Sequence, residues 1–260
     1  MISFWDKQIQ RADQLAAESS GSTELLFFYA QLLRAQKETY QYLQRGKNLS
    51  GDLKTDLPAF VEIGPYLLRT VSTYGPKLLA TEARELAEAG DQALHDTLLS
   101  YWVNPSDIQF FPKAMLQPYA RLLNESGITP VDRELVHNEG KCPFCSGNPQ
   151  VSFLQTRESG TESGNRDLIC ATCLSSWEFR RVLCANCGEE RPTRLGYFHS
   201  PEFDHIRIEA CESCKHYIKG VDLTRIGFAQ PLVDEIYGAP LDLWAREHDY
   251  TKIELNLIGL

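Results

Sequence analysis

The chain has 260 residues and a mass of 29.5 kDa, with 43% hydrophobic and 23% charged side chains, the composition of a globular protein with one large domain or two ordinary ones. Its 35 acidic and 26 basic residues give a net charge of −9, divided as 13 basic and 18 acidic over 1–140 and 13 and 17 over 141–260; neither half is a basic arm, and a general nucleic-acid binder is not expected. Apolar runs such as 25–30 fall far short of the ~20 residues that cross a bilayer, and the amino terminus MISFWDKQIQRAD lacks a basic n-region and an apolar h-region, so no membrane span and no secretory signal are expected and the chain reads as cytoplasmic.

Residues 1–135 read as a helical domain. Ser22 is the expected N-cap of a long amphipathic helix, with Glu24 in its first turn. Leu25, Phe28, Leu32, Leu33, Gln36, Tyr40 and Leu43 recur at helical spacing until Gly46 stops the run. Further helices are expected over 57–73 with a break at Gly64-Pro65, over 76–89 before Gly90, over 92–102, and over 112–124 before Gly127, which together make a bundle. Between Val131 and Lys141 this periodicity gives way to cysteines, glycines and β-branched residues, which places the domain boundary there.

All eight cysteines follow, each in a Cys-x-x-Cys pair: Cys142/Cys145, Cys170/Cys173, Cys184/Cys187 and Cys211/Cys214. The stretches between pairs are 24, 10 and 23 residues long, so the region is an internal repeat of two similar units. A Cys-x-x-Cys turn aims two sulfurs at one point, and two turns supply the four thiolates of a tetrahedral metal site. A disulfide framework fits poorly without a secretory signal, and a thioredoxin-like dithiol needs a pair at a helix start, which the flanking sequences do not offer. Of the sequential, interleaved and nested pairings, the near-equal long stretches favour the sequential one, in which each unit forms the same hairpin. Four thiolates suit zinc and a single iron alike, and the spacing is unlike the clustered cysteines of four-iron ferredoxins.

The β-prone stretches 151–156, 168–171 and 177–182 are expected strands. Gly147 and Gly188 are expected in the knuckle turns, and the polar segment 158–165 and the stretch 200–204 are expected hairpin tips. A last helix is expected over 241–248 after Pro240. The domains are therefore a helical domain over 1–135, a first four-cysteine module over 136–182, and a second over 183–260 that carries a helical tail.

Other candidate groups are weighed down by ordinary roles. Trp177, Phe179 and Tyr197 are read as a miniature core beside the metal hairpins rather than a contact surface. His199, His205 and His216 lie near cysteines, but eight thiolates already complete two tetrahedra. Arg180, Arg181, Arg191 and Arg194 form the densest basic cluster and are read as a solvated face. Glu189-Glu190 has no nucleophile, activating base or glycine-rich phosphate loop beside it, so no catalytic residue is assigned.

The motifs CPFCSGNP from Cys142, LICATCLSSWEFRRVLCANCGE from Leu168, EACESCKHYIK from Glu209 and LDLWAREHDY from Leu241, with NLIGL after it, resemble the formate dehydrogenase accessory protein family, FdhE. The likeness is close in the carboxy-terminal half and looser in the helical half. It implies an α+β protein whose helical bundle precedes two tandem rubredoxin-like or zinc-ribbon hairpin modules. It further implies a non-enzymatic maturation factor, in the cytoplasm, that contacts the catalytic subunit of a respiratory formate dehydrogenase; a homodimer is a separate expectation for the partners. Carried over residue by residue, the resemblance makes Cys142, Cys145, Cys170, Cys173, Cys184, Cys187, Cys211 and Cys214 the ligands of two mononuclear iron sites, with zinc as the alternative metal. The other functions open to the repeat are redox or iron delivery through the Cys-x-x-Cys sites and, against the acidic charge, a zinc-ribbon nucleic-acid binder.

Overall fold

In the computed structural model, which describes residues 2–18, 21, 23–46, 48–136, 138–156 and 165–260, the chain divides into two units, Met1–Leu135 and Val136–Leu260. No helix among the described residues is long and apolar enough to cross a membrane.

Unit 1 is helical: α1 (Phe4–Glu18), α2 (Thr23–Gly46), the single turn α3 (Leu53–Asp56), α4 (Pro58–Tyr74), α5 (Lys77–Val103) and α6 (Phe110–Glu125). Sequence periodicity starts the bundle at α2 and misses α1, although Ser3 signals it: the Asp6 amide donates to the Ser3 hydroxyl at 3.1 Å, and that hydroxyl donates to the Asp6 carboxylate at 2.6 Å. The expected N-cap Ser22 lies outside the described residues. The apolar stripe of α2 is buried at Leu26, Phe28, Leu32, Leu33 and Leu43, and Gln36 on that stripe donates to the Ala114 carbonyl and the Gln117 side chain of α6 at 2.9 and 2.8 Å.

Two helix breakers act differently. Gly90 adopts φ +83 and ψ 178 and kinks α5 where the two segments were expected to part. At Gly64-Pro65 the helix α4 continues instead of breaking. Pro65 forfeits one backbone hydrogen bond, but Phe60, Leu67, Leu68 and Val71 on either side of it are buried, and that packing holds the helix together. Gly64 admits close approach there, since a Cβ would meet Leu94 Cδ2 at 3.0 Å.

Unit 2 is built on one sheet of β1 (Pro149–Gln155), β2 (Asn165–Cys170), β3 (Ser176–Phe179), β4 (Leu195–His199), β5 (Ile206–Cys211), β6 (His216–Asp222) and the short β7 (Thr251–Lys252). Its order is β3-β2-β1-β6-β5-β4, with β7 on β6. Each expected hairpin is thus a three-stranded antiparallel meander, and the two meanders join through a parallel pair in which Val151 faces Lys219 and Phe153 faces Val221. The tip of the second hairpin is the 3-10 turn Pro201–Phe203; of the tip expected at 158–165, only Asn165, the start of β2, lies within the described residues. The fold class stands: a helical region, then four-cysteine hairpins, here fused into a continuous sheet.

Two helices, α7 (Pro231–Tyr237) and α8 (Ala239–Glu247), cover one face of that sheet. There Phe203, Ile206, Ile208, Ala210, Tyr217, Leu241, Ala245 and Tyr250 form a core with Phe198, Tyr237 and Trp244 at its margin. The opposite face carries Leu168, Phe179, Leu183, Ala185 and Ile218, flanked by Trp177 and Ile253. The period-2 alternation of Ile206-Arg207-Ile208-Glu209-Ala210 sends apolar side chains to the helices and Arg207 and Glu209 to the other face.

Candidate metal centres

Each Cys-x-x-Cys pair sits in the same knuckle. The amide of the fourth residue after the first cysteine donates to that cysteine's carbonyl: Ser146 to Cys142 at 2.9 Å, Leu174 to Cys170 at 3.1 Å, Gly188 to Cys184 at 3.0 Å and Lys215 to Cys211 at 2.8 Å. The chain then turns back through a left-handed residue, with φ of 58 at Ser146, 56 at Leu174, 74 at Gly188 and 57 at Lys215. Glycine therefore holds that position in one knuckle of four, and the conformation costs each of the other three roughly 1–2 kcal/mol. Gly147, expected in this role, lies one residue further on and serves close packing instead: a Cβ there would meet Thr172 Oγ1 at 2.6 Å and Cys170 Sγ at 2.7 Å.

The knuckles converge in sequential order, Cys142, Cys145, Cys170 and Cys173 in one cluster and Cys184, Cys187, Cys211 and Cys214 in the other, with all four sulfurs of each within 4.8 Å of one another. The shorter separations are 3.6 Å for Cys142–Cys173, 3.5 Å for Cys145–Cys170, 3.8 Å for Cys184–Cys214 and 3.7 Å for Cys187–Cys211. A disulfide is about 2.05 Å long, and all eight cysteines are free. A metal–sulfur bond of about 2.3 Å places the sulfurs of a regular tetrahedron about 3.8 Å apart, so both clusters have the dimensions of a tetrahedral metal site.

The electrostatics agree. In the first cluster the Cys142 thiol is driven far down by hydrogen bonds from Cys145, Cys170 and Cys173, while those three are pushed up, Cys145 and Cys173 mainly by their sulfur neighbours and Cys170 mainly by burial. Four thiols buried this close together oppose one another's ionisation, and a divalent ion is what would let all four sulfurs ionise. In the second cluster burial pushes Cys184 and Cys187 up. At Cys214 burial acts the same way, but hydrogen bonds from the Asn186 side chain and the His216 amide outweigh it and bring the thiol down to about 7. The donor sets therefore fit a metal ion.

Neighbouring side chains orient the sulfurs. Ser175 Oγ lies 2.9 Å from Cys173 Sγ and 3.6 Å from Cys142 Sγ, and the Thr172 amide donates to Cys170 Sγ at 3.3 Å. The corresponding place in the second knuckle pair belongs to His216, whose Nδ1 bonds the Cys214 carbonyl at 2.7 Å. His205 is remote in role, its Nε2 held by Asp234 at 2.8 Å. Trp177 and Phe179 join the sheet-face core, whereas Tyr197 is exposed beneath Arg207, 5.0 Å from its ring centre. The basic cluster is matched by acids: Arg180 pairs with Glu139 at 3.1 Å and Glu190 at 2.9 Å, and Arg191 with Glu189 at 2.5 Å.

These centres, on this sheet, can be set beside known proteins. The family model described as "FdhE, C-terminal domain" matches residues 182–258. The "Protein FdhE homolog" of Aquifex aeolicus is 32% identical over 224 residues, 84% of this chain and 76% of that protein. The chain belongs to the FdhE family. A second relative, the FdhE homolog of Haemophilus influenzae, is 29% identical over 123 residues, and that match takes in 47% of this chain but only 39% of the relative. The crystal structure of the FdhE protein from Pseudomonas aeruginosa shares the fold, with a TM-score of 0.70 at 22% identity over 100% of this chain and 96% of that one.

Two buried charge networks escape cysteine-centred reading. On the face of the sheet away from the helices, Arg166 meets Glu209 at 2.5 Å, and Glu209 also takes Arg207 at 2.6 Å and the Ser152 hydroxyl at 3.0 Å. Under the helices, Lys219 and Lys252 pair with Asp242 and Glu235, joined by Gln150, Tyr217 and Asn256. Lys252 Nζ also reaches the Leu260 carbonyl at 2.7 Å, which ties the NLIGL tail down. The sequence signal is a lysine inside the apolar run Tyr217-Ile218-Lys219-Gly220-Val221.

Proposed function

We propose that this FdhE-family chain is a non-enzymatic accessory protein required to form active formate dehydrogenase, and that it acts by holding the enzyme's catalytic subunit in the cytoplasm before assembly is complete. Cys142, Cys145, Cys170 and Cys173 would hold one metal ion and Cys184, Cys187, Cys211 and Cys214 a second, within modules 136–182 and 183–260; iron is the first candidate and zinc the alternative. The observation that carries this reading is the pair of four-sulfur clusters in a single continuous sheet. Bound metal would cross-link knuckles that are distant in sequence, and iron would in addition supply one-electron chemistry. Residues of this chain orient the sulfurs, Ser175 at the first cluster and the Asn186 side chain with the His216 amide at the second.

Pull-down of the catalytic subunit by the full chain, under oxidising and reducing conditions, tests the proposal; capture is expected, and absence of association in both states overturns it. Metal analysis and the visible spectrum of protein purified without oxygen separate iron, which is coloured in four thiolates, from zinc, which is silent. Light scattering reports whether the chain works as a homodimer. A second reading, redox or iron delivery, draws support from the exposure of Cys187.

A further inference from the structure

We infer that the two centres divide their labour: the first is a sealed structural cross-link, and the second is the addressable one, where Cys187 is the ligand through which metal is exchanged with an external thiol. This inference rests on the metal reading proposed above and goes beyond it by assigning lability to one cluster and one sulfur.

Three independent features separate clusters that share the same backbone. The first is burial. Cys142, Cys145, Cys170 and Cys173 are each no more than 1% exposed, whereas in the second cluster Cys187 is exposed and Cys214 half-buried. The second is closure at the knuckle. Gly147 lets the first turn press onto Thr172 and Cys170, leaving no room even for a methyl group. At the equivalent place the second cluster carries Glu189, whose carboxylate pairs with Arg191 and accepts from the Ser213 hydroxyl of the facing knuckle at 2.5 Å, so the opening lies one residue earlier. Beside it, a Cβ on Gly188 would meet nothing within 4 Å. The third is an approach path. A cleft of about 250 Å³ between the segment 138–140, the end of β3 and the third knuckle is floored by Cys184, Cys187 and Gly188, with Arg180 on its rim. That volume accommodates a small thiol or the side chain of a cysteine-bearing peptide.

The exchange is a ligand substitution without electron transfer. The incoming thiol gives up its proton and its sulfur takes the coordination position of Cys187. Cys187 Sγ leaves as the thiol and carries that proton. Cys184, Cys211 and Cys214 keep the ion until further external sulfurs replace them.

The test uses the full chain loaded with two equivalents of zinc, a chromophoric chelator in excess, and glutathione as the external thiol. Release is expected in two phases of one equivalent each, the first at least tenfold faster and accelerated by glutathione. Alkylation with N-ethylmaleimide at the end of the first phase, read by mass spectrometry, should mark Cys184, Cys187, Cys211 and Cys214 and spare Cys142, Cys145, Cys170 and Cys173. Two equivalents lost in one phase, or marking that begins in the first cluster, overturns the inference while leaving the metal reading intact. A chain that binds no zinc or iron overturns both. Gly188→Trp, which places bulk over the open side of the second cluster, should slow only the fast phase; because it also strains the turn, Gly188→Asn serves as the control that keeps the turn and adds little cover.

Discussion

Asp242 in α8 accepts from Tyr217 at 2.8 Å and from Lys219 and forms an ion pair with Lys252, whose Nζ lies 3.3 Å away, and all three charged groups are buried. Asp242→Asn keeps the shape and removes the charge. At 3.3 Å and an effective dielectric of about 20, the attraction lost to one lysine is about 5 kcal/mol. An escape route caps the cost: Lys219, already held below its usual value by burial, can shed its proton, and for a lysine of ordinary pKa ~10.4 at pH 7 that costs no more than about 4.6 kcal/mol. The expected loss is therefore about 3–5 kcal/mol, in the range found when one partner of a buried pair is removed. Hydrogen exchange of peptides covering β6 and β7 in the metal-loaded chain reads this directly, and about 4 kcal/mol appears as roughly thousandfold faster exchange. The paired substitution Lys219→Met with Asp242→Leu should recover most of the loss, since it removes both charges and fills the space. Exchange in Asp242→Asn within tenfold of the parent would refute the reasoning.

Glu209 is pushed up by burial, but Arg166 and Arg207 outweigh that and hold it below its ordinary value. Its folded pKa is the lower one, so its contribution is complete above the unfolded value of about 4.3 and is lost as pH falls below it; Glu209→Gln should flatten denaturant midpoints measured between pH 5 and 3, and an unchanged slope would count against the ion pairs. Stripping metal with a strong chelator should abolish the melting transition of unit 2, since structural sites of this kind contribute on the order of 10 kcal/mol, whereas identical melts with and without chelator would show that the clusters do not stabilise by binding metal. Gly188→Val should lower stability by about 1–2 kcal/mol through backbone strain alone and Gly188→Asn by well under half of that, with equal thermal midpoints for the two as the contrary result. Gly220→Ala forces a Cβ to within 2.6 Å of Glu209 Oε1 and 2.9 Å of Ser152 Oγ, and should cost about 1–3 kcal/mol in chemical denaturation.

The grouping of the sulfurs was legible because it depends on local spacing: a Cys-x-x-Cys turn sets two sulfurs by backbone geometry, and equal stretches between turns close equal loops. The helices of unit 1 were legible for the same reason, down to the interruption at Gly90. The failures were not random. Ser3-x-x-Asp6 is a weak cue beside the apolar stripe of α2, so α1 was missed. Pro65 reads as a break because a window sees the lost hydrogen bond and not the packing of Phe60 and Leu67 around it. Ser146, Leu174 and Lys215 adopt the left-handed conformation because the knuckle demands it, and nothing in their side chains announces it.

The parallel junction of β1 with β6 lay beyond sequence reading, since it pairs residues about 68 positions apart, Val151 with Lys219. It nonetheless explains the shape of the repeat. In repeat order, β4 corresponds to β1 and β6 to β3, so the joined edges are the first strand of one repeat and the last strand of the other. A head-to-tail junction of this kind always leaves one first strand and one last strand at the edges of the sheet. Those are β4 and β3, and both are short, four or five residues, with Glu178 on one and Tyr197 under Arg207 on the other, devices that discourage further strand addition. The junction also makes the clusters unequal. The strand that follows the first cluster's closing knuckle, β3, stays at an edge, whereas β6, which follows the second, is enclosed by β5 and β1. Burial of the sulfurs runs the opposite way, with the cluster next to the free edge sealed by Gly147 and the one beside the central strands open at Cys187. Sheet position therefore does not set the accessibility of the sulfurs; local packing at the knuckles does, tight at Gly147 in one repeat and open over Gly188 in the other.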